Sequence, residues 1–399
     1  MATVHPFRAL RPLPEHAEEV ACVPYDVINT EEALQLAEGR PRSFLHVIRP
    51  EIDLPPGTDE HDEAVYAKGA QNLRALAADE ATVQEVTPAL YVYQLVMDER
   101  PQVGVFACVS VAEYDDDTIL KHEKTRPTKE DDRTRHILTQ EAHAEPVMLT
   151  YRGTDAIDAL VNDAMEDKPL YDFTATDGVQ HTIWKVDAPQ PLVDAFAEVD
   201  HLYIADGHHR CAAASRAAKE RPGNPEAQRF PAVLFPVEEM EILPYNRTIK
   251  KLPAGKRRFL QQLEYQFDVE PVLFADPDQP GEIRIYFGDS QWYRLDLPET
   301  ERGGVADTLD VARLAEHILE PLLRISDPRT DENIAFVGGI RGTGELERLV
   351  NIGEAELGIA MYATDPEELL DVSDAGELMP PKSTWFEPKL RSGLLVHLF

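Results

Sequence analysis

Positive charge is what this sequence has least of. Its 399 residues hold 39 Lys and Arg against 73 Asp and Glu, a formal net charge of −34. Lysine is the scarcer cation, at 12 positions against 27 for arginine. Such a chain is a poor general binder of nucleic acid, because non-specific affinity comes from Lys and Arg neutralising phosphates. No nucleic-acid partner is expected. The acidity is spread along the chain rather than gathered in a tail, the pattern of a solvated acidic coat, and it points to a halophilic protein. Cysteine is scarce too. Cys22, Cys108 and Cys211 stand at no useful spacing, which excludes a disulfide scaffold and a Cys-rich zinc site. No run approaches about 18 apolar residues, and Met1 to Leu10 lacks the apolar core of a signal peptide. These absences predict a soluble, cytoplasmic protein with no membrane partner.

What is present suits a folded core. Hydrophobic residues make up 43% and charged residues 28%, and the length allows two or three domains. Thr30 to Glu38 and Asp59 to Ala78 read as helices, and the apolar run Phe44 to Ile48 as a strand ending at Arg49, Pro50 and Glu51. Leu90 to Met97 and Val103 to Tyr114 predict a hairpin joined through residues 98–102. Further strands are expected at 147–151, 181–186, 202–205 and 232–237, with helices at 156–166, 191–199 and 211–219 between them. A polar stretch at 250–256 suggests a boundary, giving regions 1–255 and 256–399. The second region reads as a hairpin around Gly288-Asp289-Ser290 with helices at 257–266, 311–323, 344–352 and 366–372. Irregular alternation with hairpins predicts α+β architecture: a mixed sheet with helices, plus a second, smaller α/β lobe.

The chemistry is concentrated between Leu202 and Ala214. Leu202 to Ala205 reads as a buried strand, Asp206-Gly207 as a tight turn, and the Ala-rich run after it as a helix. Strand, glycine turn and helix N-terminus together form a natural anion site, since first-turn N–H groups and the positive dipole end face the turn. This turn also carries His208, His209 and Arg210, groups suited to phosphate or carboxylate.

Asp206-Gly207-His208-His209-Arg210 followed by a helix resembles the phosphate-binding signature of the ParB/sulfiredoxin-like superfamily. That group includes chromosome-partition nucleotide-binding domains, sulfiredoxin and the free-serine kinases. The chain as a whole resembles the family called domain of unknown function 1015. The likeness runs through Pro6-Phe7-Arg8-Ala9-Leu10-Arg11-Pro12, Val23-Pro24-Tyr25-Asp26-Val27-Ile28 and Arg49-Pro50-Glu51. It continues through His122-Glu123-Lys124-Thr125, the Asp206 turn and Met379-Pro380-Pro381-Lys382-Ser383-Thr384. Sulfiredoxin has a cysteine where His208 stands here, so sulfinic-acid reduction is not expected. The form of the turn is more similar to that of the free-serine kinases.

That likeness implies a nucleotide-dependent phosphotransferase, a kinase or related phosphatase, acting on a small hydroxyl metabolite such as serine or phosphoserine. Gly207, His208, His209 and Arg210 would hold phosphates. Asp206 would orient the turn or a Mg²⁺ carried by ATP, ADP or CTP, and Glu51 or Glu123 would accept the hydroxyl proton. The scarce lysines gather at 121–129, 250–256 and 382–389. With the arginines beside them they offer Lys124, Thr125, Arg126, Lys129, Arg133, Arg247, Lys382, Ser383 and Thr384 as further phosphate or substrate contacts, the Lys-Ser-Thr loop returning to the site. Two alternatives stand beside this reading. One is a nucleotide-binding switch without turnover. The other is a metal-dependent hydrolase built on His201, Asp206, His208 and His209. Gly339 to Gly344 has the glycine spacing of a P-loop, but Glu345 and Leu346 occupy the Lys and Ser/Thr positions.

Overall fold

A computed structural model describes residues 1–399. It is a mixed α and β protein with several sheets and 13 α-helices. The chain forms two compact units. The first comprises Met1–Lys121, Thr125–Met240 and Pro388–Phe399; the second comprises His122–Lys124 and Glu241–Glu387. The last twelve residues thus belong with the N-terminal body.

The first unit is built on a nine-stranded sheet. Its main path runs Ile119–Leu120, Leu202–Asp206, Val147–Tyr151, Arg229–Pro236, Arg100–Ser110, Leu90–Met97, Gln180–Val186 and Tyr171–Thr174. Leu202–Asp206 is parallel to Ile119–Leu120 and antiparallel to Val147–Tyr151, which is itself parallel to Arg229–Pro236. The central strands are apolar on both faces because both are covered, and Val105, Ala107, Leu149, Ile204 and Leu234 are fully buried in one cluster. Burial of each of the larger ones, Val105, Leu149, Ile204 and Leu234, contributes about 1.5–3 kcal/mol before chain entropy is subtracted. The expected hairpin is present but tighter than the sequence suggested. Asp98 (φ 49°) and Glu99 (φ 66°) alone make the turn between Leu90–Met97 and Arg100–Ser110, as left-handed two-residue hairpin turns do.

One expected strand is a helix. Phe44 to Ile48 forms a short helical segment, Leu45–Ile48, followed by a 3₁₀ turn over Pro50–Asp53. A run of five residues, four of them apolar and buried, is too short for its periodicity to distinguish strand from helix. Phe44, Leu45, Val47 and Ile48 pack in one cluster with Leu10, Val20 and Tyr25. The helix expected at 30–38 is observed at Thr30–Ala37, and its cap is Asn29, whose side chain accepts from the Glu32 N–H in a reciprocal capping box.

The second unit carries a six-stranded sheet in the order Val269–Val272, Trp292–Asp296, Glu282–Tyr286, Leu357–Met361, Tyr245–Ile249, Ile334–Gly338. All its pairings are antiparallel. The helix expected at 311–323 is α-helical only over Asp310–Leu314 and widens to a π-helical turn over Ala315–Leu319. No helix is long and apolar enough to cross a membrane.

Candidate phosphate-binding site

The strand Leu202–Asp206 does not run straight into its turn. Opposite Val147–Tyr151 its register shifts between Ile204 and Asp206, so Ala205 is an extra residue on one strand. A bulge of this kind bends the strand and re-aims the side chain beyond it, here Asp206. Gly207 then adopts φ +107°, and a Cβ there would lie 3.0 Å from Val147 Cγ1 and 3.1 Å from Arg210 Nε. Only glycine combines that backbone with that space. The helix His208–Glu220 starts at once. Its Ala213 and Ala217 are small enough to lie against Ile137 of the helix Pro127–Gln140.

Charge at the turn is compensated from several sides. The Lys389 ammonium lies 3.2 Å from Asp206 Oδ2, and Arg210 Nη2 lies 3.7 Å from Oδ1. Burial would raise the Asp206 carboxyl, but Lys389 and Arg210 outweigh it and hold the group well below the usual carboxylate range. Asp206 is therefore ionised at any ordinary pH. The Arg210 guanidinium is buried and donates to the Pro146 carbonyl. Burial opposes its charge, yet the carboxylates of Asp206, Asp26 and Glu145 keep its pKa above the ordinary value.

Glu145 is the hub behind the turn. Its Oε1 accepts from the Tyr25 N–H at 3.1 Å and the Ser392 hydroxyl at 3.3 Å, and its Oε2 lies 3.7 Å from Arg133 Nη1. Burial pushes this carboxyl up, and Arg210 and Arg133 offset only part of that. Glu145, Arg133, Arg210, His136 and His143 line a cavity of about 30 Å³, room for one or two waters. Arg133 stacks over the Tyr25 ring, 3.9 Å from its centroid, and donates to Asp132 at 2.7 and 2.8 Å. Asp132 also accepts from the Tyr66 hydroxyl at 2.9 Å.

His209 brings a second segment to the turn. Its Nε2 accepts from the Arg126 N–H at 3.0 Å, so its own ring proton belongs on Nδ1. That contact sets Thr125, exposed Arg126 and the start of the helix Pro127–Gln140 beside Asp206-Gly207. The Thr125 hydroxyl donates to Glu130, and Lys129 lines a surface cleft with Arg49, Glu51, His61 and Arg133. Glu51 is buried, 2.7 Å from Arg49 Nε, while Arg49 donates to the Tyr25 carbonyl at 3.2 Å. Polar contacts therefore connect Glu51 through Arg49 and Tyr25 to Glu145, whose charge also acts on Arg210.

Of the residues the sequence nominated, Asp206, Gly207, His208, His209, Arg210, Thr125, Arg126, Lys129, Arg133 and Glu51 all stand in the first unit. Glu123, Lys124, Arg247, Lys382, Ser383 and Thr384 stand in the second. Lys121 is engaged elsewhere, donating to the Tyr114 carbonyl at 2.7 Å and to Asp117. Sequence reasoning missed Glu145, left Tyr25 and Asp26 without roles, and placed Lys389 only in a lysine cluster offered as a phosphate clamp. Tyr25 and Asp26 lie in a resemblance motif and Lys389 in a lysine cluster, so a signal existed for those three. Glu145, a lone acid among many, offered none. The four-residue metal set is not assembled: no group of three or more His, Cys, Asp or Glu is arranged to hold a metal ion. His201 is exposed at the opposite end of the strand from Asp206, on the order of 16 Å away at the usual strand rise.

The first unit is thus a mixed-sheet body presenting a glycine turn at a helix N-terminus, backed by a buried ion network. The chain belongs to the family described as "Protein of unknown function (DUF1015)", whose pattern matches residues 4–312. No curated protein matches the sequence. Among solved structures it is similar to a conserved hypothetical protein from Pyrococcus furiosus, at 15% identity and a TM-score of 0.35, over 72% of this chain and 95% of that one. It is also similar to a free serine kinase in complex with AMP, at 13% identity and a TM-score of 0.39, over 72% of this chain and 92% of that one. A third is SbnI with C-terminal truncation from Staphylococcus aureus, at 13% identity and a TM-score of 0.38, over 73% and 87%.

Proposed function

We propose that the first unit binds the phosphates of a nucleotide at the Asp206-Gly207-His208 turn and transfers a phosphoryl group to or from a small hydroxyl metabolite of the serine type. The observation that carries this reading is the turn itself: a glycine at φ +107° opening a helix of 13 residues, with Arg210 fixed beneath it and Arg126 beside it. Backbone N–H groups of a first helical turn, together with the dipole, suit phosphate oxygens. The ParB/sulfiredoxin-like form of the motif supports the same ligand class.

Asp206 would serve Mg²⁺ rather than proton transfer. It is held ionised by Lys389 and Arg210, and a carboxylate so stabilised is a weak base. Glu51, at the cleft that Lys129 lines, would be the proton acceptor in this unit. In the forward direction the substrate hydroxyl oxygen would bond to phosphorus, the bond to the nucleotide oxygen would break, and the hydroxyl proton would pass to the carboxylate. Glu145 would act as a positioning residue, setting Arg210, Arg133 and the Tyr25 backbone.

The test is a phosphate-transfer assay in high KCl with Mg²⁺, offering ATP, ADP, CTP or pyrophosphate with L-serine, and phosphoserine alone in a separate arm. Phosphoserine formed from serine establishes the kinase direction, and phosphate released from phosphoserine alone establishes the phosphatase direction. Nucleotide bound without turnover in any arm would replace this reading with a binding switch.

A further inference from the structure

We propose that the second unit carries an oxyanion-binding site of its own, formed by Arg247 and Lys382. Arg247 lies on the strand Tyr245–Ile249, between Leu357–Met361 and Ile334–Gly338, and is 3% exposed. Its guanidinium donates to the carbonyls of Tyr245 and, at 3.1 Å, of Lys382, and it lies 5.6 Å from the Phe336 ring centroid. No carboxylate is within 4.0 Å of Arg247 or of the Lys382 ammonium, although both other buried arginines of this unit are paired: Arg284 with Glu282 and Asp278, Arg313 with Asp310. In a chain with 73 acidic residues, a counter-charge for Arg247 was easy to supply. Burial without one is costly, and it pulls Arg247 down to about 10.

The loop that brings Lys382 is held in one shape. Lys382 has φ +62°, a left-handed conformation that a lysine adopts only when its surroundings impose it. The Ser383 hydroxyl donates to the Pro380 carbonyl at 2.7 Å, and the Thr364 hydroxyl donates to the Ser383 carbonyl at 3.0 Å. The Lys382 ammonium is 5.2 Å from the Tyr245 ring centroid. A strand cation, Arg247, bonds the loop that carries a second, Lys382, and both lie beside aromatic rings without a carboxylate partner. The missing partner is an anionic group of a ligand, a phosphoryl or a carboxylate, for which a forked guanidinium and a point-charge ammonium are the usual receptors.

The experiment is calorimetric titration of the full chain with inorganic phosphate, and separately with acetate, at constant KCl. We expect Arg247→Met and Lys382→Met each to weaken one anion site by about tenfold or more. Gly207→Ala should leave that site intact. The control separates this inference from the phosphate turn: an anion site lost in Arg247→Met but kept in Gly207→Ala supports the inference even if the first-unit reading fails. Phosphate-only binding assigns a phosphoryl group and binding of both anions a carboxylate-tolerant site. Wild-type anion stoichiometry and affinity in a folded Lys382→Met, or in a folded Arg247→Met, would overturn it, as would a wild-type chain whose every anion site is lost in Gly207→Ala.

Discussion

Arg210 and Arg247 are both buried arginines beside backbone carbonyls, and their electrostatics are opposite. Arg210, in the first unit, faces Asp206, Asp26 and Glu145 and is held above its ordinary pKa. Arg247, in the second, has only carbonyls and rings around it and is drawn down to about 10. The difference lies in what each charge is for. A guanidinium paired by its own chain is a fixed strut that shapes a turn; one left without a counter-charge keeps its field for something that arrives later.

The largest effect on this comparison should come from removing the strut's partner. Asp206→Ala removes the carboxylate that Arg210 and Lys389 share, and should cost about 2–4 kcal/mol in denaturant unfolding, its 27% exposure keeping the figure below that of a fully buried pair. A loss under 0.5 kcal/mol would mean the pairing contributes nothing. The same pair predicts a pH dependence. A carboxyl with a depressed folded pKa stabilises fully above its unfolded value, about 3.9, and loses that contribution as pH falls below it. Acid unfolding of wild type should therefore be steeper below pH 4 than that of Asp206→Asn.

Gly207→Ala comes next. It forces a side chain into φ +107° and against Val147, and should destabilise by about 1–3 kcal/mol while weakening nucleotide binding. Arg247→Met should move the other way, raising stability by about 1–3 kcal/mol without ligand, because it removes a buried charge that nothing in the chain pairs. A destabilised but folded Arg247→Met would place Arg247 with Arg210 as a structural cation. The smallest effect is expected for His209→Ala, about 1 kcal/mol from the lost bond to the Arg126 N–H, with a larger loss in nucleotide affinity.

The turn was legible in the sequence because its parts are contiguous. An apolar run, Asp-Gly and an Ala-rich helix each carry a local signal, and the strand and helix appear at Leu202–Asp206 and His208–Glu220. What stands behind the turn was not legible. Glu145, Arg133, Tyr25 and Lys389 meet through sheet and helix packing across as many as 364 positions of sequence, counting from Tyr25 to Lys389. No spacing rule encodes such a meeting. Phe44 to Ile48 failed for a different reason, since a five-residue run with four buried apolar side chains is too short to show the periodicity that separates strand from helix. The lysine clusters fall on both units, Lys129 in the first and Lys382 in the second.

In the proposed function, nucleotide phosphates sit on the first turn of the helix that begins at His208. Hydrogen exchange with and without ADP and Mg²⁺, read on peptides covering residues 204–214, tests it most directly. Protection of that segment by ADP, reduced in Gly207→Ala, is the predicted result. ADP binding demonstrated by an independent titration, with exchange of residues 204–214 unchanged, would contradict it.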